Sequence, residues 1–353
     1  MTELLSLTAE ELGNHFKEQG LASYRAGQVM RWAAGYHSFS EMTDVPESLR
    51  QSLEKSYILR SAEIYKKVIS KDGTVKYLLS LTDGNLVECV LMHQAYGRTL
   101  CISTQAGCRM GCAFCASGKN GLVRNLTVGE LMSQVLLVNR DAEDKPLSRQ
   151  ITNVVLMGCG EPLDNYENVV KFLRLLTTEY LNISARNISL STCGLADKIT
   201  KFAGEGLPVT LALSLHSPFD DRRAQIMPIA NKYSVKQAMS AVRYYFEKTG
   251  RRPILEYSLI QGFNTREEDA QELKRLTRGM SCHINLIALN AVDGSPLQPE
   301  TAQKSKQFLN RLKELGLSAT VRSSKGADID GACGQLRNKF VGDNTPVSSD
   351  KKP

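Results

Sequence analysis

The 353-residue chain contains no apolar run long enough to cross a bilayer, which argues against an integral membrane protein. Its first residues, MTELLSLTAEELGNHF, lack the basic segment and small-residue cleavage site of a secretory signal. Thr8 and Glu11 instead predict a capping box that opens a helix. We therefore expect a cytoplasmic protein with no membrane partner. Its composition, 42% hydrophobic and 23% charged residues, is that of an ordinary globular protein.

The sequence also lacks a strong excess of charge of either sign. It has 44 Lys and Arg against 37 Asp and Glu, a formal net charge of +7, and the whole excess lies after residue 96. A basic surface suits nucleic acid, another polyanion or simple solubility. The charge alone therefore does not choose among these partners.

Nine cysteines are present, and without an export signal we expect them to be reduced rather than joined in a disulfide framework. Three of the nine fall within eight residues, which calls for a functional explanation. Others lie in apolar or strand-like segments and are interpreted as packing residues, namely Cys89, Cys193 and Cys282.

The chain divides into two predicted domains and a tail. Residues 1–96 read as short helices followed by strands with Asp-Gly turns, and are predicted to form a small accessory domain. Residues 97–340 alternate strands with helices, which predicts a parallel sheet with right-handed crossovers. Residues 341–353 are predicted to be a disordered tail.

The alternating region predicts an α/β fold in the form of a partial (β/α)6 barrel, since six βα units are too few for an eightfold barrel. In such barrels the chemistry collects where the strands end. The predicted strands are 99–104, 152–157, 187–191, 209–215, 254–260, 283–289 and 318–322. The predicted helices are 127–140, 165–178, 195–204, 234–248, 266–279 and 299–315.

The cysteine cluster, Cys108, Cys112 and Cys115, directly follows the first of these strands with the spacing Cx3Cx2C. Three thiolates in one short loop suit a soft metal or an iron–sulfur cluster. A structural zinc site needs a fourth ligand, which no second CxxC or His pair supplies. On a four-iron cluster, three cysteines would leave one iron open to a small-molecule ligand.

A glycine-rich segment, GCGEP at residues 158–162, follows the second strand. Its glycines allow close approach of a ligand, and its carboxylate can receive an ammonium group. Later strands also end in candidate contacts, although each of these alone could be a helix cap or an ordinary loop residue. These candidates are Ser191, Ser214, Leu215, His216 and Asn290.

The Cx3Cx2C motif resembles that of the radical S-adenosylmethionine (SAM) superfamily. Longer stretches resemble the RlmN family of RNA methyltransferases, and the resemblance extends over nearly the whole chain, including the N-terminal YRAGQVMRW. One departure is Cys159, where the family usually has Met, and this thiol has no predicted role. The stretches concerned are LCISTQAGCRMGCAFCASGKNGLVRNLT, GCGEPLDN, LSLHSP and VRSSKGADIDGACGQL.

The resemblance implies a radical SAM barrel with a [4Fe-4S] cluster and SAM, two molecules of SAM being used per turnover. The implied cluster ligands are Cys108, Cys112 and Cys115, which leave one iron open to SAM. The implied SAM contacts are Gly160, Glu161, Ser191, Ser214, Leu215, His216 and Asn290.

The resemblance further implies methylation of C2 of an adenosine in 23S rRNA, at the peptidyl transferase centre, and of the adenosine 3′ of the anticodon in tRNA. C2 of adenine has no lone pair to attack a methyl sulfonium, so the chemistry requires a radical. Cys333 would carry the methyl group and become cross-linked to RNA, and Cys101 would release the product through a transient disulfide with Cys333. Glu88 would accept the C2 proton.

We expect a monomer that receives electrons from a donor such as flavodoxin or ferredoxin. RNA would be bound largely through its phosphates, although a pair such as Arg222 and Arg223 could equally be a solvated helix start. The candidate phosphate ligands are Arg109, Lys119, Arg124, Arg222, Arg223, Arg251 and Arg252.

Three alternatives remain open at this stage. A Cfr-type enzyme shares the cysteines but methylates C8 of the same adenosine; the N-terminal region and the GEPL tetrapeptide, where that type more often has GEAL, favour the RlmN type. A non-catalytic iron–sulfur protein would leave GEP and Cys333 unexplained. An RNA-binding zinc protein would contain zinc and no iron.

Overall fold

The computed structural model describes residues 1–143, 151–177, 181, 183–290, 292, 295–322 and 325–336. The predicted tail at 341–353 lies outside them. The strands are β1 (Thr2–Glu3), β2 (Tyr57–Ile58), β3 (Ala62–Ile69), β4 (Val75–Leu81), β5 (Leu86–Gln94), β6 (Gly97–Cys101), β7 (Gln105–Gly107), β8 (Leu122–Asn125), β9 (Asn153–Leu156), β10 (Ile188–Thr192), β11 (Thr210–Ser214), β12 (Ile254–Leu259), β13 (His283–Ala288) and β14 (Ala319–Arg322). The helices are α1 (Ala9–Glu18), α2 (Arg25–Ala34), α3 (Glu47–Ser56), α4 (Val128–Glu143), α5 (Tyr166–Leu176), α6 (Ala196–Ala203), α7 (Asp220–Ile226), α8 (Val235–Thr249), α9 (Glu267–Thr277) and α10 (Ala302–Glu314).

Helix α1 begins where the sequence places its cap. The Glu11 main-chain N–H donates to Thr8 Oγ1 at 3.0 Å, and the Thr8 N–H donates to Glu11 Oε2 at 2.7 Å, so the predicted capping box is confirmed. Helix α1 then buries Leu12 and Phe16 on one face, as its apolar spacing requires. No helix in the described part of the chain is both long and apolar enough to span a bilayer.

A single ten-stranded sheet organises the molecule, in the order β14-β13-β12-β11-β10-β9-β6-β5-β4-β3. Every pairing from β6 to β14 is parallel, and helices connect these strands. Strands β3 to β6 pair antiparallel. The α/β partial barrel is therefore confirmed.

The sheet runs without interruption across the predicted domain boundary at residue 96. That boundary falls in the tight turn between β5 and β6, which form one antiparallel pair in which Val90 faces Cys101. The accessory strands thus extend the barrel sheet, and the division into two domains stays a prediction.

The first barrel strand is shorter than predicted and ends at Cys101. Beyond it, the side chain of Gln134 takes the place of a neighbouring strand, because it accepts from the Ser103 N–H at 3.0 Å and donates to the Ser103 carbonyl at 2.9 Å. The chain then forms the small β7–β8 hairpin, which the sequence analysis did not predict. Helix α7 was also missed, since its seven residues are too few to show a clear helical period.

The segment that follows β11 is held in an unusual conformation. His216 has a φ of 55°, in the left-handed region that residues with a side chain rarely adopt. The fully buried Asn264 fixes it, since its Nδ2 donates to the carbonyls of His216 and Ser258 at 2.7 and 2.6 Å. Its Oδ1 accepts from the Ile260 N–H at 2.9 Å.

We expect Asn264→Ala to lower the free energy of unfolding by about 3 kcal/mol, because three buried main-chain groups would lose their partner together. Urea unfolding followed by circular dichroism measures the change. The matched control is Asn310→Ala on the exposed face of α10, which should change stability by less than about 0.5 kcal/mol. Equal effects of the two substitutions would contradict the assignment.

Candidate active site

The carboxyl ends of the parallel strands open into a cavity whose empty space, together with the open solvent at its mouth, is about 950 Å³. The three clustered cysteines line it, together with residues that follow successive strands, as the barrel argument predicts. The other predicted positions that line it are Gly160, Glu161, Ser191, Ser214, His216, Asn290 and Cys333.

Leu215 is the exception among the predicted contacts. Its side chain is fully buried in the hydrophobic core and does not line the cavity. Only its main chain is polar there, and its carbonyl already accepts from Arg223 Nε at 3.0 Å. A side-chain contact between Leu215 and a ligand in the cavity is therefore excluded.

The loop that carries the cysteines is fixed by main-chain contacts. The Cys108 N–H donates to the Gly121 carbonyl at 2.8 Å, and the Cys115 N–H donates to the Cys112 carbonyl at 3.0 Å. Gly107 must be glycine, since its φ is 79° and a Cβ there would lie 2.1 Å from the Gly121 oxygen. The hairpin β7–β8 thus holds the loop at the strand ends.

Burial controls the protonation of these thiols. It raises the pKa of Cys108 to about 12, and burial followed by the neighbouring thiols Cys115 and Cys108 also raises that of Cys112. Burial likewise raises the pKa of Cys115. As free thiols the three are protonated at neutral pH, so a metal group that binds there must displace their protons.

The glycine-rich segment brings a buried carboxylate to the cavity wall. A Cβ on Gly158 would lie 2.6 Å from the Ile102 carbonyl oxygen, so β6 and this segment approach as closely as only glycine allows. Glu161 Oε2 accepts from the Cys193 N–H at 2.7 Å, and Oε1 accepts from the Leu163 N–H at 3.1 Å. Burial nevertheless raises the pKa of Glu161. A cationic ligand group would favour its ionised form.

His216 is buried on the opposite wall. Its Nδ1 accepts from the Ser258 N–H at 2.9 Å, which places the ring proton on Nε2. Its ring packs edge-on against Phe114 with 4.5 Å between centroids. Burial lowers the pKa of His216 to about 3, so the ring is neutral and presents a donor.

A second, smaller cavity adjoins the first, and Cys101 and Cys333 both line it. Cys333 also lines the large cavity, so it stands between the two. Asn290 Nδ2 donates to the Cys333 carbonyl at 3.0 Å, and the Ala116 N–H donates to the Gly334 carbonyl at 2.8 Å. The structure has all nine cysteines as free thiols.

Glu88 is not solvent-facing, as a lone Glu on a strand usually is. It is buried on β5, and its Oε1 lies 3.2 Å from Lys76 Nζ. It lines neither of the two cavities. The structure thus places this carboxylate behind the cavity walls, and its predicted function as a base stays a prediction.

Two of the predicted phosphate ligands on α7 are wrong. Arg223 is 0% exposed and donates to the carbonyls of Cys193, Ser214 and Leu215. Neither RNA nor bulk solvent reaches it, so the solvated helix start is also excluded. Arg222 is nearly buried, and its side chain pairs with the Asp269 carboxylate at 3.0 Å.

Arg251 and Arg252 are also misassigned, because they precede β12 and lie at the amino end of the barrel, opposite the cavity. Arg251 donates to Thr210 Oγ1 at 2.9 Å, and Arg252 donates to the Cys282 carbonyl at 2.8 Å. The candidates that remain on the side of the cysteine loop are Arg109, Lys119 and Arg124. Arg109 pairs with Asp164, and Arg124 pairs with Glu130 and Asp83.

The sequence analysis missed two charged groups in the large cavity, Glu256 and Arg322. Glu256 is buried on β12 and accepts from Asn285 Nδ2 at 2.9 Å. Arg322 ends β14 and lines both cavities. An acid within the apolar strand ILEYSLI is a signal that could have revealed Glu256. Cys193, predicted as a packing residue, is indeed buried but also lines the cavity.

Comparison with known families and proteins accounts for this arrangement. A family model for the radical SAM superfamily matches residues 102–276, and a model for the ribosomal RNA large subunit methyltransferase N-terminal domain matches residues 2–59. A crystal structure of a radical SAM methyltransferase from Sphaerobacter thermophilus superimposes with a TM-score of 0.92 at 40% identity, covering 96% of this chain and 99% of that one.

Curated relatives agree over almost the full length. The probable dual-specificity RNA methyltransferase RlmN of Clostridium perfringens (strain 13 / Type A) is 48% identical, over 97% of this chain and 98% of the relative. The protein of the same description from Clostridium botulinum (strain Alaska E43 / Type E3) is 46% identical over the same shares. The chain therefore belongs to the RlmN family of RNA methyltransferases, within the radical SAM superfamily.

Proposed function

We propose that this chain methylates C2 of an adenosine in 23S rRNA, at the peptidyl transferase centre, and of the adenosine 3′ of the anticodon in tRNA. The observation that carries the proposal is the position of Cys333. Its side chain stands between the cavity lined by the cysteine loop and the cavity lined by Cys101. A methyl carrier has to reach both a methyl donor and a second thiol, and this position allows it.

Membership of the superfamily implies a [4Fe-4S] cluster and SAM, and the donor set fits them. Three thiols face one cavity, and within the described residues no three acidic, His or Cys side chains converge on a point that would hold a single ion. A cluster needs no such convergence, because each thiolate binds a different iron. Cys108, Cys112 and Cys115 would hold it. When bound, cluster and SAM supply a radical that abstracts hydrogen.

The cavity walls offer a matching set of groups to SAM. Glu161, desolvated on one wall, would receive the ammonium group, and Gly160 lets the ligand approach the main chain. His216 donates from Nε2, and Ser191 and Ser214 offer hydroxyls from neighbouring strands. Asn290 contributes at the rim beside Cys333, while Leu215 contributes only main chain.

The remaining steps fall to the chain's own thiols and one carboxylate. The Cys333 sulfur would lose its proton and take a methyl group from one SAM. After the radical supplied by the cluster and a second SAM removes a hydrogen atom from this methyl group, its carbon would bond to C2, and the adduct would lose one electron to the cluster or another acceptor and the C2 proton to a base. The Cys101 thiolate would then attack the Cys333 sulfur, so that an S–S bond forms as the S–C bond breaks, and the released carbon would take up the proton lost from Cys101 to complete the methyl group. Glu88 would accept the C2 proton, which requires it to turn from Lys76 towards the cavity. An external thiol reductant must reopen the disulfide.

The substrate and partners follow from the same chemistry. RNA binds through phosphates at the mouth of the large cavity, where Arg109, Lys119 and Arg124 are the remaining candidates. We further propose a cytoplasmic monomer that receives electrons from a flavodoxin or ferredoxin.

We expect Cys108→Ala, Cys112→Ala and Cys115→Ala each to lose the iron and the visible absorbance of the anaerobically reconstituted chain. Cys159→Ala and Cys193→Ala are matched controls, since both thiols are at least half-buried close to the same loop, and these variants should keep the iron. Iron and sulfide per chain are the measurement. Loss of iron from Cys159→Ala, or zinc without iron in the parent chain, would contradict the ligand set.

We expect Cys333→Ala to abolish RNA methylation while SAM is still cleaved, because the methyl carrier is lost and the cluster loop is untouched. Cys282→Ala removes a buried thiol outside both cavities and should methylate RNA like the parent chain. Mass spectrometry of digested rRNA and tRNA measures the product. Methylation of RNA by Cys333→Ala would show that Cys333 is not the methyl carrier. A methyl group at C8 would contradict the proposal that C2 is methylated.

A further inference from the structure

The loop that carries Cys333, residues 325–336, is anchored at two places. Near Cys333 it contacts Asn290 and the cysteine loop, as described above. At its other end it meets the turn between β3 and β4, residues 70–74, in the N-terminal region. The turn is far from the loop in sequence, and none of its residues is among the predicted site residues.

The contact between the turn and the loop is reciprocal. Asp328 of the loop accepts from Ser70 Oγ at 2.5 Å and from the Lys71 N–H at 3.2 Å. Asp72 of the turn accepts from the Gly326 N–H of the loop at 3.2 Å. Each segment thus offers a carboxylate to the donors of the other, and a carboxylate forms stronger hydrogen bonds than a neutral acceptor.

The Asp72 carboxylate is also held by a contact within its own segment. Asp72 Oδ1 also accepts from the Thr74 N–H at 2.9 Å, which holds it in the turn. Gly326 has a φ of 63°, and a Cβ there would lie 2.9 Å from Thr74 Cγ2, so turn and loop are in close contact. Although burial opposes ionisation of Asp72, hydrogen bonds, chiefly from Thr74, hold its pKa below its usual range. The Ser70 and Lys71 donors lower the pKa of Asp328.

The start of β4, next to the turn, contacts Glu88, the residue predicted to act as the base. Lys76 lies on β4, two residues after the turn, and its Nζ lies 3.2 Å from Glu88 Oε1. The same Nζ donates to the Asp330 carbonyl of the loop at 3.3 Å. One ammonium group therefore contacts both Glu88 and the loop that carries Cys333.

We propose that residues 70–74 form a clasp that holds the Cys333 loop over the two cavities, with Asp72 and Asp328 as positioning residues. The proposal rests on the proposed function only in taking Cys333 as the methyl carrier. With the clasp closed, the nearest anchor of the clasp is Asp328, five residues from Cys333, which limits the reach of the thiol from that anchor to about 18 Å. With it open, the next tether in the sheet is Arg322, eleven residues from Cys333.

The effective concentration of a tethered group falls roughly as the −3/2 power of tether length, so opening the clasp dilutes the thiol by about threefold. The contacts at Asn290, Ala116 and Lys76 persist in part and reduce this effect. We therefore expect about a twofold loss of kcat for RNA methylation in Asp328→Ala and Asp72→Ala, with KM unchanged, because RNA binding is not altered.

The test compares these two variants with Lys71→Ala, the matched control, since Lys71 contributes only its main-chain N–H to the clasp. In the RNA-free full chain, iodoacetamide should modify Cys333 about twofold faster in the clasp variants and at the parent rate in Lys71→Ala. Peptide mass spectrometry measures the rate. Asp328→Asn, which keeps one acceptor oxygen, should fall between Asp328→Ala and the parent.

SAM cleavage and iron content should be unchanged in the clasp variants, which separates positioning from general damage. Should Asp328→Ala fail to fold, Ser70→Ala removes only the hydroxyl donor and should shift the alkylation rate in the same direction by a smaller factor. Alkylation rates and kcat values that equal those of the parent in every clasp variant would overturn the clasp. Methylation by Cys333→Ala would instead overturn the proposed function, while faster alkylation would still support the clasp.

Discussion

The parallel hydrogen-bonded ladder from β6 to β14 is the constraint on which the rest of the structure depends. Parallel strands all end at the same edge of the sheet, so residues that are far apart in sequence meet there without any long-range signal of their own. The cysteine loop, the Glu161 segment, His216 and Asn290 each follow a different strand. Their convergence on one cavity is therefore a consequence of strand direction, and helices packed outside the sheet keep that direction fixed.

Desolvation gives the site its chemistry. The same burial that raises the pKa of Cys108 and Glu161 lowers that of His216, so the cavity without ligand holds neutral thiols and a neutral imidazole. Main-chain N–H groups partly offset the desolvation of the Glu161 carboxylate by donating hydrogen bonds to it. The buried Arg223 donates to carbonyl groups at the ends of adjacent strands. The attraction between a cationic ligand group and an ionised Glu161 is stronger in such a cavity than in water.

Much of the fold could be predicted from the sequence, because strands and helix starts are indicated by local patterns, namely apolar runs with a period of two residues and capping boxes. Every predicted barrel strand exists, and the boundary errors fall where a side chain such as Gln134 replaces a strand partner. The phosphate ligands were predicted less well. Arg223 and Arg251 carry the same charge as a surface arginine, and no local pattern shows that main-chain carbonyls or a threonine hydroxyl already occupy their guanidinium groups. The position of Glu256 in the cavity wall depends on which of its strand's two faces turns to the cavity, which the sequence alone does not show.

The pairing of Val90 with Cys101 on neighbouring strands has a consequence for how the enzyme can be rebuilt. Side chains alternate between the faces of a sheet, and Cys101 shares its face with Val90, Met92 and Leu336. A one-residue insertion in the β5–β6 turn would slip this register and turn the thiol to the opposite face. The N-terminal segment is thus no interchangeable module: a chimaera that joined two relatives within this turn and lengthened it by one residue would keep every cysteine in its sequence and still separate the two thiols.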